Sequence, residues 1–177
     1  MNRFFRNSLV VGLIFSGFLS QAGEDRKRGS AGATELLMNP WAKSSGYAGA
    51  NTSGITGIES MRFNVAGIVD TSGLSFGYSY TSYMAGSDVT SSAFALTQSV
   101  GKTGTIGIEI NFFQLGDFIE TTVDQPDGTG ITFTPSYFHL GLAYSTRFSE
   151  SIKGGILVRM VSQSIKNVNT TGVVVDA

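Results

Sequence analysis

The sequence predicts an all-β fold, an antiparallel transmembrane β-barrel of which this chain holds an N-terminal part of about six strands. Three features predict it. From residue 74 onward, long segments alternate apolar residues with small or polar ones, the pattern of strands. Charged residues make up only 14% of the chain, below the ~25% of soluble domains. The connections between segments are alternately short and long, as in outer-membrane barrels.

The first element is a signal peptide, predicted at residues 1–22. Arg3 and Arg6 supply a positive start, and residues 9–19 are apolar apart from glycine and serine. Residues 20–22 place small side chains at the positions that a signal peptidase reads. The apolar run is far shorter than the ~20 residues of a transmembrane helix. We therefore expect an exported protein located in the cell outer membrane.

Residues 23–73 are predicted to form an N-terminal plug or periplasmic segment. Apolar side chains within residues 31–38 suit a short helix, ending at Asn39-Pro40 because the residue before proline avoids the helical region. Residues 41–58 are mostly Gly, Ala, Ser and Thr. Such a segment buries too little apolar area to fold alone, so we expect residues 31–58 to lie in the barrel lumen or at its periplasmic mouth.

Residues 74–177 are predicted to form the partial barrel. In its four strongest segments the apolar series falls on even-numbered positions, so we expect even-numbered residues to face lipid and odd-numbered ones the lumen. The predicted strands are 74–83, 91–100, 104–115, 131–148, 152–165 and 173–177. Aromatic residues near the strand ends suit the interfacial girdles of such barrels: Tyr80, Tyr83, Phe112, Phe113, Phe138, Tyr144 and Phe148.

The connections are predicted to divide into two kinds. Residues 101–104 and 149–151 are tight turns, whereas residues 84–90, 116–130 and 166–172 are longer and rich in Gly, Asp and Asn. If short and long connections alternate strictly, all the long ones lie on one side of the sheet. Outer-membrane barrels have short periplasmic turns and long extracellular loops, which assigns the long connections to the extracellular side.

Six strands are too few to close a membrane barrel, since single-chain bacterial barrels have at least ~8. An open edge in lipid leaves backbone N–H and C=O groups unpaired, at several kcal/mol each. We therefore expect the sequence to be a truncated product that folds as an unclosed sheet, with strands 74–83 and 173–177 as its free edges.

Composition argues against several classes of function. Of twelve basic residues, Arg3 and Arg6 fall in the signal peptide, which leaves ten against thirteen acidic ones. No basic field for nucleic acid results. The chain has no cysteine, so it has neither a disulfide framework nor a thiolate metal site. Gly101-Lys102-Thr103 lacks the first glycine of a phosphate-binding loop, because Leu96 stands there. We expect no cofactor, no metal site and no catalytic site.

Four polar residues of the strands share the inward register: Glu109, His139, Lys153 and Arg159. Charges inside a hydrated lumen can pair, whereas charges facing lipid cost ~2–4 kcal/mol at mid-depth. These residues are therefore candidates for a lumenal polar network, either structural or lining a solute path. His139 is the only histidine, and no nucleophile elbow accompanies it.

A family resemblance rests on residues 32–46, 49–51 and 63–68. These runs resemble the N-terminal region of the PorV/PorQ family of Bacteroidetes, whose barrels are similar to the fatty-acid channel FadL. The last run resembles the family's Asn-Pro-Ala-Gly signature, with Val65 in place of the proline. The residues that carry the resemblance are Asn39, Pro40, Trp41, Gly46, Asn64, Ala66 and Gly67.

The resemblance implies a fourteen-stranded barrel with its N-terminal segment inside the lumen, and a role in type IX protein secretion. Such a protein is a non-catalytic cargo shuttle or scaffold, whose partners are outer-membrane lipid, other secretion proteins and secreted cargo. Residues 84–90 and 116–130 would be candidate contact loops. A FadL-like channel for hydrophobic small molecules is the alternative, and it needs an apolar pocket that residues 41–58 supply poorly. An outer-membrane phospholipase would need a Ser–His pair.

Overall fold

Residues 74–176 form long antiparallel strands because their side chains alternate between two chemically different faces. The structure is a computed structural model that describes residues 32–177; the predicted signal peptide at 1–22 and residues 23–31 of the predicted N-terminal segment lie outside the described residues. The strands are β1 (Leu74–Tyr83), β2 (Val89–Val100), β3 (Gly104–Gln114), β4 (Phe118–Ile119), β5 (Thr132–Phe133), β6 (Ser136–Arg147), β7 (Lys153–Ile165) and β8 (Val168–Asp176).

The six long strands form one sheet in the order β1-β2-β3-β6-β7-β8, and β4 pairs only with β5. Each pairing is antiparallel. This confirms the all-β, antiparallel prediction. In the described residues, β1 and β8 end the sheet without pairing with each other, so the sheet is open.

The two faces of the sheet differ, as the alternation predicts. Odd-numbered side chains of β1, β2, β3, β6 and β7 are the more buried, and even-numbered ones are the more exposed. We call these the packed face and the exposed face. One row of the exposed face crosses all six strands and is apolar throughout: Phe76, Leu96, Ile108, Leu142, Val158 and Val175.

The connection between β7 and β8 corrects a prediction. A long loop is predicted at 166–172 and a strand from residue 173, whereas the chain turns in two residues and β8 begins at Val168. Lys166 adopts φ 52°, the left-handed conformation that a two-residue hairpin turn requires. Short and long connections therefore do not alternate strictly. The turn also shifts the parity, so that odd-numbered residues of β8 such as Val173 lie on the exposed face.

The connection between β3 and β6 contains structure that was predicted as loop and strand. The strand predicted from residue 131 begins at Ser136, directly after Pro135, because proline has no N–H to give to a strand ladder. The residues before it form the β4–β5 hairpin, whose base is closed by the Leu115 N–H donating to the Pro135 carbonyl at 3.0 Å. The predicted loop 116–130 is thus part of a hairpin.

Two aromatic residues predicted for the girdle lie on the packed face instead. Phe113 is 4% exposed, and its ring centroid lies 5.6 Å from that of Tyr83 and 6.1 Å from that of Tyr137. All three are odd-numbered, so the parity of the strand places them inward despite their position near a strand end. The other five are even-numbered: Tyr80, Phe112, Phe138, Tyr144 and Phe148.

Within the described residues, four short helical elements precede the sheet. They are the 3₁₀ helices Thr34–Leu37, Ile58–Arg62 and Val65–Asp70, and the α-helix Ala42–Gly46. Within residues 32–177, no helix is long and apolar enough to cross a membrane.

The helix predicted over residues 31–38 is reduced to one 3₁₀ turn at Thr34–Leu37, and the acidic side chain of this turn is buried. Leu37 is 88% exposed, whereas the acidic Glu35 is 5% exposed. The Glu35 carboxylate accepts buried hydrogen bonds from the sheet. These hydrogen bonds place the side chain of Glu35, rather than that of Leu37, against the sheet.

Residues 35–70 lie against the packed face and share a hydrophobic core with it. We call these residues the packing segment. Small residues of the sheet make this approach possible. A Cβ at Gly107 would lie 2.7 Å from Met61 Sδ, and one at Gly155 would lie 3.2 Å from Val65 Cγ1. The buried residues of this core are Trp41, Met61, Val65 and Ile68 of the packing segment and Ala93, Ala95, Ala143 and Leu157 of the sheet.

Candidate functional site: the polar interface between the packing segment and the sheet

The residues at Asn39-Pro40-Trp41 attach the packing segment to β1. Asn39 Oδ1 accepts a hydrogen bond from the Trp41 N–H at 3.0 Å, and Asn39 Nδ2 donates to Ser44 Oγ at 2.8 Å. This is the local turn that asparagine favours. The Pro40 carbonyl accepts from Ser79 Oγ of β1 at 2.6 Å, and Trp41 is buried in the core. The motif therefore fixes where the segment meets the sheet.

The second run of the motif, at residues 64–67, attaches the segment to β6. Asn64 Nδ2 donates to the Thr52 carbonyl at 3.2 Å. The Ala66 carbonyl accepts from the fully buried Ser145 Oγ of β6 at 3.1 Å. The Gly67 carbonyl accepts from the Gly57 N–H at 3.2 Å. This run therefore binds the packing segment both to itself and to the sheet.

The two glycines of the motif have different structural roles. A Cβ at Gly67 would overlap the Ile55 carbonyl oxygen and lie 2.8 Å from Ser60 Cβ, whereas a Cβ at Gly46 would meet nothing within 4 Å. Neither has a positive φ, so the constraint at Gly67 is purely steric.

Replacing Gly67 by alanine is expected to lower the free energy of unfolding by ~1–3 kcal/mol, the usual cost of overpacking a filled interior. Gly46→Ala is the matched control, and it is expected to be neutral or slightly stabilising because alanine favours a helix over glycine. Urea unfolding of the two purified variants measures both. Equal stability of the two variants would contradict the close packing at Gly67.

Glu35, His139 and Gln163 form a buried polar cluster between the packing segment and the sheet. His139 Nε2 lies 3.3 Å from Glu35 Oε1, and Gln163 Nε2 donates to both Glu35 oxygens at 2.9 and 3.0 Å. Glu35 and His139 are 5% and 2% exposed. A buried carboxylate is stable only when it is paired and hydrogen-bonded, and here two strands supply its partners.

Arg159 of β7 is the centre of a second buried cluster. Its Nε donates to Glu109 Oε1 at 2.7 Å, its Nη1 donates to Asp176 Oδ2 at 2.8 Å, and its Nη2 donates to the Met61 carbonyl at 3.3 Å. Glu109 and Arg159 are 7% and 3% exposed. One guanidinium thus joins β3, β8 and the packing segment.

Lys153 takes part in a third, more exposed group at the short-turn side of the sheet. Its Nζ lies 2.6 Å from Asp70 Oδ2, and Arg147 Nη2 lies 2.7 Å from Asp70 Oδ1. Of the four predicted lumenal residues, the structure therefore brings together Glu109 and Arg159. His139 and Lys153 pair instead with acids of the packing segment, so the four do not form one network.

Arg62 of the packing segment is a fourth charged group at this interface. Its Nη2 donates to the carbonyls of Met38 at 2.6 Å and Glu35 at 3.2 Å. Burial lowers the pKa of the Arg62 guanidinium to about 10, and the positive charge of Arg159 adds to the lowering, while Glu109 opposes it. Arg62 therefore stays charged at neutral pH and balances the carboxylates around it.

Sequence reasoning missed the partners that lie in the packing segment, namely Glu35, Arg62 and Asp70, and Gln163 in β7. One feature of the sequence could have identified Glu35, Arg62 and Asp70. Residues 32–73 hold only a few charged residues, and a charge in such a small-residue segment needs a partner if the segment is buried.

The interface fixes the packing segment, and its chemistry suits that structural role. His139 Nδ1 is buried and has no hydrogen-bond partner among the described residues. Within residues 32–177, no group of three His, Cys, Asp or Glu side chains could hold a metal ion. Searches of protein-family models, curated proteins and solved structures give no match to this chain.

Proposed function

We propose that this protein is an outer-membrane β-barrel component of type IX protein secretion, similar to the PorV/PorQ family, with a non-catalytic, protein-binding role. In this proposal the exposed face contacts lipid and the packing segment is the plug of the lumen. Secretion proteins and secreted cargo bind at the side of the long connections.

The observation that carries the membrane part of the proposal is the exposed face. An apolar row spans all six strands, and Phe76, Leu142 and Val175 within it are 72%, 60% and 59% exposed. Soluble monomers rarely expose a contiguous apolar patch of more than a few hundred Å². Strands of nine to thirteen residues also suit the ~9–11 residues of a tilted membrane strand.

The contacts on the packed face favour a packing segment that plugs the lumen over an open path through it. Buried apolar side chains, the buried Glu35 carboxylate and the buried Arg159 guanidinium hold the packing segment against the sheet. The cavity between this segment and the start of β1 is about 460 Å³. Its lining combines Tyr47, Ile55 and Ile58 with the charged Lys43 and Glu59, and the two charged groups suit a hydrophobic solute poorly. A protein-binding role is therefore favoured over a FadL-like channel.

Affinity capture of the tagged protein from its native outer membrane, after chemical crosslinking, tests the secretion role. We expect secretion components and cargo to be enriched relative to an equally abundant, tagged porin. Uptake of a labelled long-chain fatty acid should not change when the gene is deleted. Loss of that uptake, with no secretion component captured, would support the channel instead.

A further inference from the structure

The β4–β5 hairpin is a preformed structure that is separate from the six-stranded sheet. The rings of Phe118 and Phe133 stack with centroids 5.9 Å apart. The Glu120 N–H donates to the Ile131 carbonyl at 2.8 Å, and the Glu120 carboxylate pairs with Lys166 of the β7–β8 turn. The hairpin is therefore tied to a neighbouring connection on the same side of the sheet.

Apolar side chains on this hairpin are exposed. Val123 at its tip is 99% exposed, and Phe118, Ile119 and Ile131 are 48%, 60% and 55% exposed. Exposed apolar side chains grouped on an ordered element, with polar residues around them, are typical of an interaction site.

All the charged side chains of the hairpin are negative. Residues 115–135 contain four acidic residues and no basic one: Asp117, Glu120, Asp124 and Asp127. Complementary charge speeds association and excludes partners of like charge. An anionic lipid surface is therefore disfavoured as the occupant, whereas a basic surface is favoured.

We propose that the β4–β5 hairpin is the docking site for a protein segment whose contact surface combines basic and apolar side chains. The inference deepens the proposed function, on which it rests, by giving the chemistry of the partner. Val123 and its apolar neighbours supply the buried contact, and Asp124 and Asp127 beside the tip, both exposed, supply the charge.

Site-specific photocrosslinking in cells tests the proposal. A photoreactive amino acid replaces Val123 in one variant and Leu37, which is 88% exposed elsewhere, in a control. We expect the Val123 variant to form a discrete protein adduct whose crosslinked peptide, sequenced by mass spectrometry, is basic and apolar. Asp124→Asn and Asp127→Asn should each lower the adduct yield, and together by about fivefold or more. Glu150→Gln, in an exposed turn on the opposite side, should leave the yield unchanged.

Adducts only with lipid or lipopolysaccharide, no adduct, or a yield indifferent to Asp124→Asn and Asp127→Asn would overturn the docking proposal. A third probe at Leu142 separates this failure from failure of the membrane proposal. Lipid adducts at Leu142 without a protein adduct at Val123 would refute only the docking site. Absence of lipid adducts at Leu142 would refute the membrane location itself.

Discussion

Arg159→Met is expected to lower the free energy of unfolding by about 3–5 kcal/mol, the usual cost of removing one partner of a buried ion pair. The variant leaves the Glu109 carboxylate, which is 7% exposed, without its 2.7 Å partner. Arg62 lies close enough to Glu109 to interact with its charge and compensates part of the loss. Urea unfolding of the purified protein in detergent micelles measures the change.

Two variants make this result specific. Lys153→Met removes a more exposed partner of Asp70, which keeps Arg147, so we expect a change of about 1 kcal/mol or less. The double variant Arg159→Met/Glu109→Met should lose less than Arg159→Met alone, because no unpaired buried charge remains. A double variant as unstable as the single one would show that lost packing, rather than unpaired charge, causes the effect.

Leu142→Arg is expected to impair assembly in the outer membrane by about 2–4 kcal/mol, because it places a charge in lipid near mid-depth. Leu142 lies in the middle of β6 on the exposed face and is 60% exposed. In water, a substitution at so exposed a position would usually change stability by no more than about 0.5 kcal/mol. The amount of folded protein in purified outer membranes measures the effect.

Ser151→Arg is the matched control, since it adds the same charge at an exposed position in the turn between β6 and β7. We expect normal assembly of this variant. Equal amounts of the Leu142→Arg and Ser151→Arg proteins in the membrane would show that the exposed face does not contact lipid.

The strands and their faces could be predicted because side-chain alternation is a local property of the sequence. The even-numbered positions of β3 and β6 are on the whole more exposed than the odd-numbered ones, so the two faces differ as the alternation predicts. The tight turn at residues 166–167 could not be predicted, since the polar residues at 166–172 suit a loop and an exposed edge strand equally well. This turn depends on one residue, Lys166, in the left-handed conformation.

Of the candidate site, only residues that lie in the sheet could be predicted from the sequence. The inward register identified Glu109, His139 and Arg159. Their partners lie far away along the chain; Glu35 is 104 residues from His139. Pairing over such a distance depends on how the packing segment lies on the sheet, and no local pattern contains that information. The apolar run beside Glu35 predicted a short helix and did not indicate that the Glu35 side chain would be buried.

The exposed face gives the most direct test of the membrane location. The chain has no cysteine, so single cysteines can carry spin labels without background. Labels at Leu140 and Leu142 of β6 are compared with labels at Asp124 and Glu150, which lie in the connections. We predict that collisions with dissolved oxygen exceed collisions with a water-soluble nickel complex at residues 140 and 142, with the reverse at residues 124 and 150. Preference for the nickel complex at residues 140 and 142 would contradict the account, because it would place the exposed face in water.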